Sequence, residues 1–307
     1  MKATASVCFT LLADATIERF ASVEINTDPA NRARCFAILA EHADKTLGCS
    51  LLRRAAAVVT TLESEKYEIA SLLVPRLVAR GLVAEARGLI DHVEPGDPTT
   101  AALAALPMTP EVMQTALETI ASTGEVFRAA AISPMLPHFS VEALQNIARA
   151  AEEMHVDLFA DAVRAVVVDG MASRELEIAK EIAKTIGNAS NRASAHASLA
   201  AHSRNPGPHI AAALAAMRDY GETAWRSDFE SALSIYDKPF RSIIMASIAS
   251  RSWRAELVEQ LAPKLDSSVA EPLVAEALAD DDAQFAILGS AHLLSKLPET
   301  GPARGTW

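Results

Sequence analysis

Eight histidines, three cysteines and 39 acidic residues form the chain's main stock of reactive and ligating groups. What they can do depends on spacing. A metal site on one helix needs ligands three or four residues apart, so that both side chains point the same way. None of His42, His92, His138, His155, His196, His202, His209 and His292 has a neighbour at that spacing. His196 and His202 point about 120° apart on a straight helix, and Asn205-Pro206-Gly207 separates His202 from His209. Asp280-Asp281-Asp282 has the look of a divalent-cation cluster. A calcium loop, however, needs alternating carboxylates, a Gly and a closing Glu. Here a helical stretch follows instead, so the three read as negative charge at a positive helix end. Glu152 and Glu153 would point about 100° apart on a helix, and Glu63 and Glu65 about 160°, which makes both pairs poor acid/base dyads. They read as solvated charge.

The phosphate-binding GxxxxGK[ST] loop, GxGxxG, HExxH and GxSxG are all absent. The sequence therefore assigns no catalytic residue, no cofactor site and no metal site, and the chain reads as a non-enzyme. Two sets of side chains remain as candidate partner contacts. Arg32, Arg128 and Arg192 each begin a helix just after a turn. A row of them would present a cationic ladder to an extended acidic peptide. The alternative is structural: the stem packs and the head pairs with a carboxylate or carbonyl of the adjacent helix. Trp225 and Trp253 are the second set, because Trp is enriched among binding hot spots, with core packing as the alternative.

Charge narrows the partner. Twenty-eight Lys and Arg against 39 Asp and Glu leave a formal net charge of −11, which repels a phosphate backbone and argues against nucleic acid. Arg53, Arg54, Arg76, Arg80 and Arg87 are the densest basic positions, with Arg76 and Arg80 on one helical face. No aromatic residues interleave to stack bases. Cys8, Cys35 and Cys49 have no CxxC spacing and lie among apolar residues, so they read as small buried hydrophobes of a reducing, cytoplasmic compartment. Residues 1–15 look superficially like a short signal peptide, but Thr4, Ser6 and Thr10 interrupt the apolar stretch. There is no run of 18 or more apolar residues, which excludes a spanning helix.

The elements that would position these side chains are helical. Ala143, Ile147, Ala150 and Met154 recur at steps of three and four, as do Leu176, Ala179, Ile182 and Ile186. Val166-Val167-Val168 is the most strand-like run, yet Leu158, Ala162 and Ala165 lead into it at helical spacing, so it reads as the end of a buried helix. Thr109-Pro110-Glu111 and Ser140-Val141-Glu142 are helix starts, and Ser268 to Glu271 has capping-box spacing. Gly81, Gly170, Gly187 and Gly221 stand where helices should stop. About eighteen short helices are expected.

The chain also repeats. Residues 31–42, NRARCFAILAEH, align with residues 191–202, NRASAHASLAAH, at seven of twelve positions. The offset of 160 residues is five times 32, and Phe127-Arg128-Ala129-Ala130 begins a further copy at three times 32 from the first. A looser copy, out of phase, runs over 240–249. Ala33, Ala37 and Ala40 would let helices approach closely, while Phe36 and Leu39 fill the layer between them. Thin layers of this kind explain a chain that is 50% apolar but only 5% aromatic. His42 and His202 fall at the ends of equivalent helices.

The stretch GLVAEARGLI at 81–90, following IASLLVPRLVAR at 69–80, resembles the tetratricopeptide-like helical repeat: small residues on a first helix, Gly at the turn, then Glu-Ala on the second. Arg32-Ala33 with Leu39-Ala40 is similar to degenerate bacterial repeats of the same superfamily. The resemblance runs diffusely over 20–290. It implies an all-α solenoid of antiparallel helix pairs and a role beside signalling proteins. The superfamily's Trp, Leu-Gly and Tyr signature is absent, so none of its peptide-clamping positions carries over. The expected architecture is an all-α α-solenoid with a period near 32 residues over 1–297 and a flexible tail over 298–307. The expected function is a non-catalytic scaffold or adaptor for a partner protein or peptide. The alternatives are a regulatory or sensor subunit, or an enzyme built on the same scaffold.

Overall fold

A computed structural model of the chain describes residues 28–62, 66–91, 97–248, 251–280, 282 and 285–294. Cys8, residues 1–15, Glu63, Glu65, His92, Asp281 and the 298–307 tail lie outside the described residues. All regular secondary structure among the described residues is helical, which makes the protein all-α. None of these helices is long and apolar enough to cross a membrane. The contacts divide the chain into two compact units, Met1–His138 and Phe139–Trp307.

The first unit contains α1 (Pro29–His42), α2 (Lys45–Val59), α3 (Lys66–Ala79), α4 (Val83–Ile90), α5 (Asp97–Ala104), α6 (Pro110–Ser122) and α7 (Glu125–Ile132), then a 3-10 turn over Ser133–His138. Successive helices pack on one another, α1 on α2, α2 on α3 and α3 on α4 and α5. The small-residue pattern is what permits this. Ala33, Phe36, Ala37, Leu39 and Ala40 of α1 are all buried, as are Leu51 and Leu52 of α2 and Leu73 of α3.

Ends are set by local chemistry. Asp28 and Asp44 cap α1 and α2 by accepting from the backbone N–H three residues on. Thr109 does the same for α6, with Pro110 at the first helical position and Glu111 in the first turn. Gly81 has a φ of 78°, a left-handed conformation that Gly adopts without strain, and there the chain turns from α3 to α4.

The second unit contains α8 (Val141–Ala150), α9 (Asp157–Ala172), α10 (Leu176–Lys184), α11 (Ala189–His202), α12 (Gly207–Asp219), α13 (Glu222–Ala232), α14 (Lys238–Ile248), α15 (Trp253–Leu261) and α16 (Ser267–Leu278). A π-turn over Phe285–Gly289 and α17 (Ser290–Leu294) follow. Val166 to Val168 sit inside α9, as expected, with Val167 and Val168 buried. Gly170 also lies within α9 instead of ending it, and Gly221 precedes α13 as its N-cap. The cap of α16 is Asp266, which accepts from the Val269 N–H at 3.1 Å, and the Ser268 hydroxyl donates to that same carboxylate. The capping box expected from Ser268 is thus displaced two residues upstream: a carboxylate accepts at the helix start and leaves Ser268 inside the first turn.

The repeated segments adopt matching helices. α1 and α11 are each 14 residues long, begin after an Asx cap (Asp28 and Asn188) and end on His42 and His202. Packing order departs from simple succession further on. α15, not α13, packs against α11 and α12, bringing Trp253, Leu257, Val258 and Leu261 into a core with Ala197, Leu214 and Met217. The reason lies in α13 itself. Its sequence, ETAWRSDFESA, has only a short apolar stripe, Trp225, Phe229 and Ala232, whose residues stay half-buried, and Glu222 is its one fully buried residue. A helix with so little apolar area to bury gains little from the core.

Candidate functional site

The candidate site is a surface groove of about 540 Å³ in the second unit. It lies between the start of α9, the turn joining α10 to α11, and the end of α13, and is lined among others by Asp157, Asp161, Asn188, Asp228 and Ile235. One buried carboxylate organises its floor. Asp161 is only 4% exposed. Its Oδ2 accepts from the backbone N–H groups of Gly187 (2.9 Å) and Asn188 (2.7 Å), and its Oδ1 accepts from Arg164 Nη1 at 2.9 Å. A charge this buried is tolerable because every oxygen has a donor.

From that anchor the polar wall is built outward. Asn188 Oδ1 caps α11 by accepting from the Asn191 N–H, and the Asn191 amide donates to the Leu158 carbonyl at 3.0 Å. Asn188 Nδ2 lies 3.5 Å from the Tyr220 hydroxyl, which itself donates to Asp228 Oδ2 at 2.5 Å. Burial, reinforced by the Asp228 carboxylate, pushes the Tyr220 phenol well above its ordinary range, so it stays a donor. Asp157 and Asp228 are exposed at the rim, and Ile235 exposes 58% of its surface there. The groove therefore offers acceptors and an apolar contact.

The residues singled out in the sequence distribute as follows. Arg192 Nη1 donates to the carbonyls of Ile186 (3.2 Å) and Gly187 (2.7 Å). Arg128 Nη2 donates to the Thr123 carbonyl at 3.1 Å, again five residues upstream. Both close the turn that precedes their own helix. Arg32 is half-buried at the same place in α1, and the Nε atoms of Arg32 and Arg128 are buried with no hydrogen-bond partner among the described residues. Trp253 is buried at 7% exposure, with the Tyr220 ring 5.8 Å away. Trp225 is half-buried, packs against the same core and meets Phe229 at 5.9 Å. The structure thus brings the two tryptophans to one core.

Other candidate groups also find structural partners. Arg80 donates to the carbonyls of Ala40 (2.7 Å), Ala43 (3.2 Å) and Asp44 (3.0 Å), at the negative end of α1, and Arg76 pairs with Glu41. Cys35 and Cys49 are free thiols and half-buried, not core hydrophobes as expected. Each sits on a helix flank beside, not within, the packed stripe. Asp282 does sit at a helical start, accepting from the Phe285 N–H at 2.9 Å, while Asp280 pairs with Arg254 at 2.6 Å. Among the described residues no group of three His, Cys, Asp or Glu is placed to hold a metal ion.

Sequence reasoning missed a cross-helix pair. His196 of α11 and His209 of α12 face one another with their Nδ1 atoms 3.3 Å apart. Burial holds both below the ordinary histidine range, helped at His196 by His209 and Arg192 and at His209 by Lys180, with Glu177 opposing. Asp161 was also missed. Its signal was available: a single acid among Leu158, Phe159, Ala160 and Val163. Compared with known protein families, curated proteins and solved structures, the chain matches none.

Proposed function

We propose that this protein is a non-catalytic interaction scaffold: helix hairpins with a repeat near 32 residues, related in architecture to tetratricopeptide-like proteins, hold a partner protein or peptide. Ties between residues one repeat apart support the architecture. Arg53 pairs with Glu85 at 2.8 Å, Asn188 meets Tyr220, and Glu222 accepts from the Arg254 N–H, each across 32 residues. Further links span 33 to 35 residues, from Asn191 to Leu158, His138 to Ala104 and Arg174 to Phe139. Stacked hairpins give such spacing because each unit rests on the one before it.

The observation that carries the functional reading is the groove bordered by α13. Just past α13, which meets the core only through half-buried side chains, exposed Ile235 sits beside the rim carboxylates Asp157 and Asp228. Complementary chemistry is a segment bearing Lys or Arg next to an apolar side chain. The arginines at 128 and 192 instead hold carbonyls of their own chain, so the acidic rim is the better guide to the partner.

A display library of random twelve-residue peptides tests this. The expected result is enrichment of basic-apolar sequences that bind the double variant Asp157→Lys/Ile235→Asp at least about tenfold more weakly, the loss of about 1.4 kcal/mol. Enrichment of acidic peptides, or binding indifferent to the double variant, overturns the assignment.

A further inference from the structure

The base of α13 holds a second cavity, of about 290 Å³, lined by Gly221, Glu222, Thr223, Arg254, Asp280 and Asp282. Its charges can be paired off by name. Arg254 Nη1 is 2.6 Å from Asp280 Oδ2, and Arg226 Nη2 is 3.5 Å from Asp282 Oδ2. The remaining aspartate oxygens also have donors: Asp280 Oδ1 takes the Asp282 N–H, and Asp282 Oδ1 takes the Phe285 N–H. Glu222 is left over. The residue is 5% exposed. Its Oε1 accepts from the Ser252 hydroxyl at 2.5 Å and the Arg254 N–H at 3.1 Å, whereas its Oε2 is buried with no hydrogen-bond partner among the described residues.

An unmatched carboxylate oxygen at this depth is costly unless something donates to it or its charge is removed. Burial does push the Glu222 carboxyl above its ordinary pKa, with Asp282 adding to the effect and the Ser252 and Arg254 bonds opposing it. Among the described residues two ion pairs cancel and Glu222 is left without a counter-charge, so the surroundings favour a donor that brings positive charge. A bare metal ion fits poorly, because no three ligating groups among the described residues converge. A protonated amine needs no such convergence, since one strong N–H···O⁻ bond suffices and the cavity accommodates its carbon skeleton. Arg254 adds a second feature. Its guanidinium lies 4.0 Å from the Phe285 ring centre, and its Nε is buried with no partner among the described residues, a donor suited to a carboxylate on the same ligand.

We propose that this cavity is a binding site for a small molecule carrying a protonated primary amine, whose ammonium donates to Glu222 Oε2. The site is separate from the α9–α13 groove and does not depend on the scaffold reading.

The test uses the full chain at pH 7.5, with calorimetric titration and thermal unfolding. The probes are n-butylammonium, glycine, tetramethylammonium, n-butanol and acetate at constant ionic strength. n-Butylammonium or glycine should raise the unfolding temperature by about 3 °C when present well above its dissociation constant. Tetramethylammonium, which has the charge but no N–H, should leave it unchanged, as should the alcohol and acetate. A stronger effect of glycine assigns the carboxylate end to Arg254. A stronger effect of butylammonium assigns the simple amine.

Two variants localise the effect. Glu222→Gln removes the charge while keeping an acceptor for Ser252 and the Arg254 N–H. Gly221→Leu fills the cavity from a position where a Cβ meets nothing within 4 Å. Both should abolish the response, and the second covers the case in which the first fails to fold. No response to either amine, a response shared by tetramethylammonium, or one that survives Gly221→Leu overturns the proposal. The first of these, together with a gain in stability in Glu222→Gln, would mark Glu222 as a buried neutral acid.

Discussion

The guanidinium of Arg80 occupies the space that a side chain at Gly48 would fill. A Cβ built on Gly48 would lie 2.9 Å from Arg80 Nη1 and 3.0 Å from the Ala40 carbonyl oxygen. That opening lets Arg80 reach the three carbonyls at the end of α1 from its own position after α3.

Replacing Gly48 with Ala therefore sets two effects against one another. In a helix interior Ala is favoured over Gly by about 1 kcal/mol. Here the added methyl would push the guanidinium off its acceptors and press on backbone, a loss of about 1–3 kcal/mol. We expect net destabilisation in urea unfolding, and a smaller penalty for Gly48→Ala when Arg80 is already Ala. A stabilised Gly48→Ala would contradict the account.

Asp161 is predicted to be the most sensitive polar position of the second unit. Asp161→Ala strands two backbone N–H groups and the Arg164 charge, whose side chain is 16% exposed. Removing one partner of a buried pair costs about 3–5 kcal/mol. Equilibrium unfolding should show a loss of that order, with Asp161→Asn intermediate; a change below about 1 kcal/mol would show the carboxylate to be dispensable.

The histidine pair predicts a pH dependence with a definite sign. His196 and His209 are both held below the ordinary histidine value, so the unfolded chain takes up protons first as the solution is acidified. Their contribution is fully present above about pH 6.5. It declines as pH falls from there through the lowered native values, and two protonated imidazoles cannot share the Nδ1–Nδ1 hydrogen bond. Unfolding free energy measured from pH 8 to pH 5 should fall less steeply in His196→Ala/His209→Ala than in the parent chain. Parallel curves would sink the idea.

What the sequence made legible is what one helix controls by itself. The caps at Thr109 and Ser140, the left-handed Gly81 and the helical reading of Val166 to Val168 depend only on nearby residues, and the structure has them. The matching ends of α1 and α11 follow from a repeated segment in the same way. The misses involve rotational phase between helices. Whether His196 meets His209, or Glu222 meets Ser252, depends on how one helix is turned against another, and a periodic stripe fixes that only where apolar residues dominate. α13 has only the short, half-buried stripe of Trp225, Phe229 and Ala232. The displacement of α13 by α15 on α11 and α12 was therefore not readable from spacing, although the polar composition of residues 222–232 held the clue.

The shallow seat of α13 also bears on motion. Releasing a helix costs roughly what its buried surface was worth, and α13 buries only Glu222 fully, with Trp225 and Phe229 half-buried. This segment should open at lower cost than the core of α11, α12 and α15, with Trp225 and the bonds from Ser252 and Arg254 to Glu222 setting that cost. A partner that grips the groove in one arrangement of α13 would then draw on a fluctuation the protein already undergoes, at little expense to the rest of the molecule.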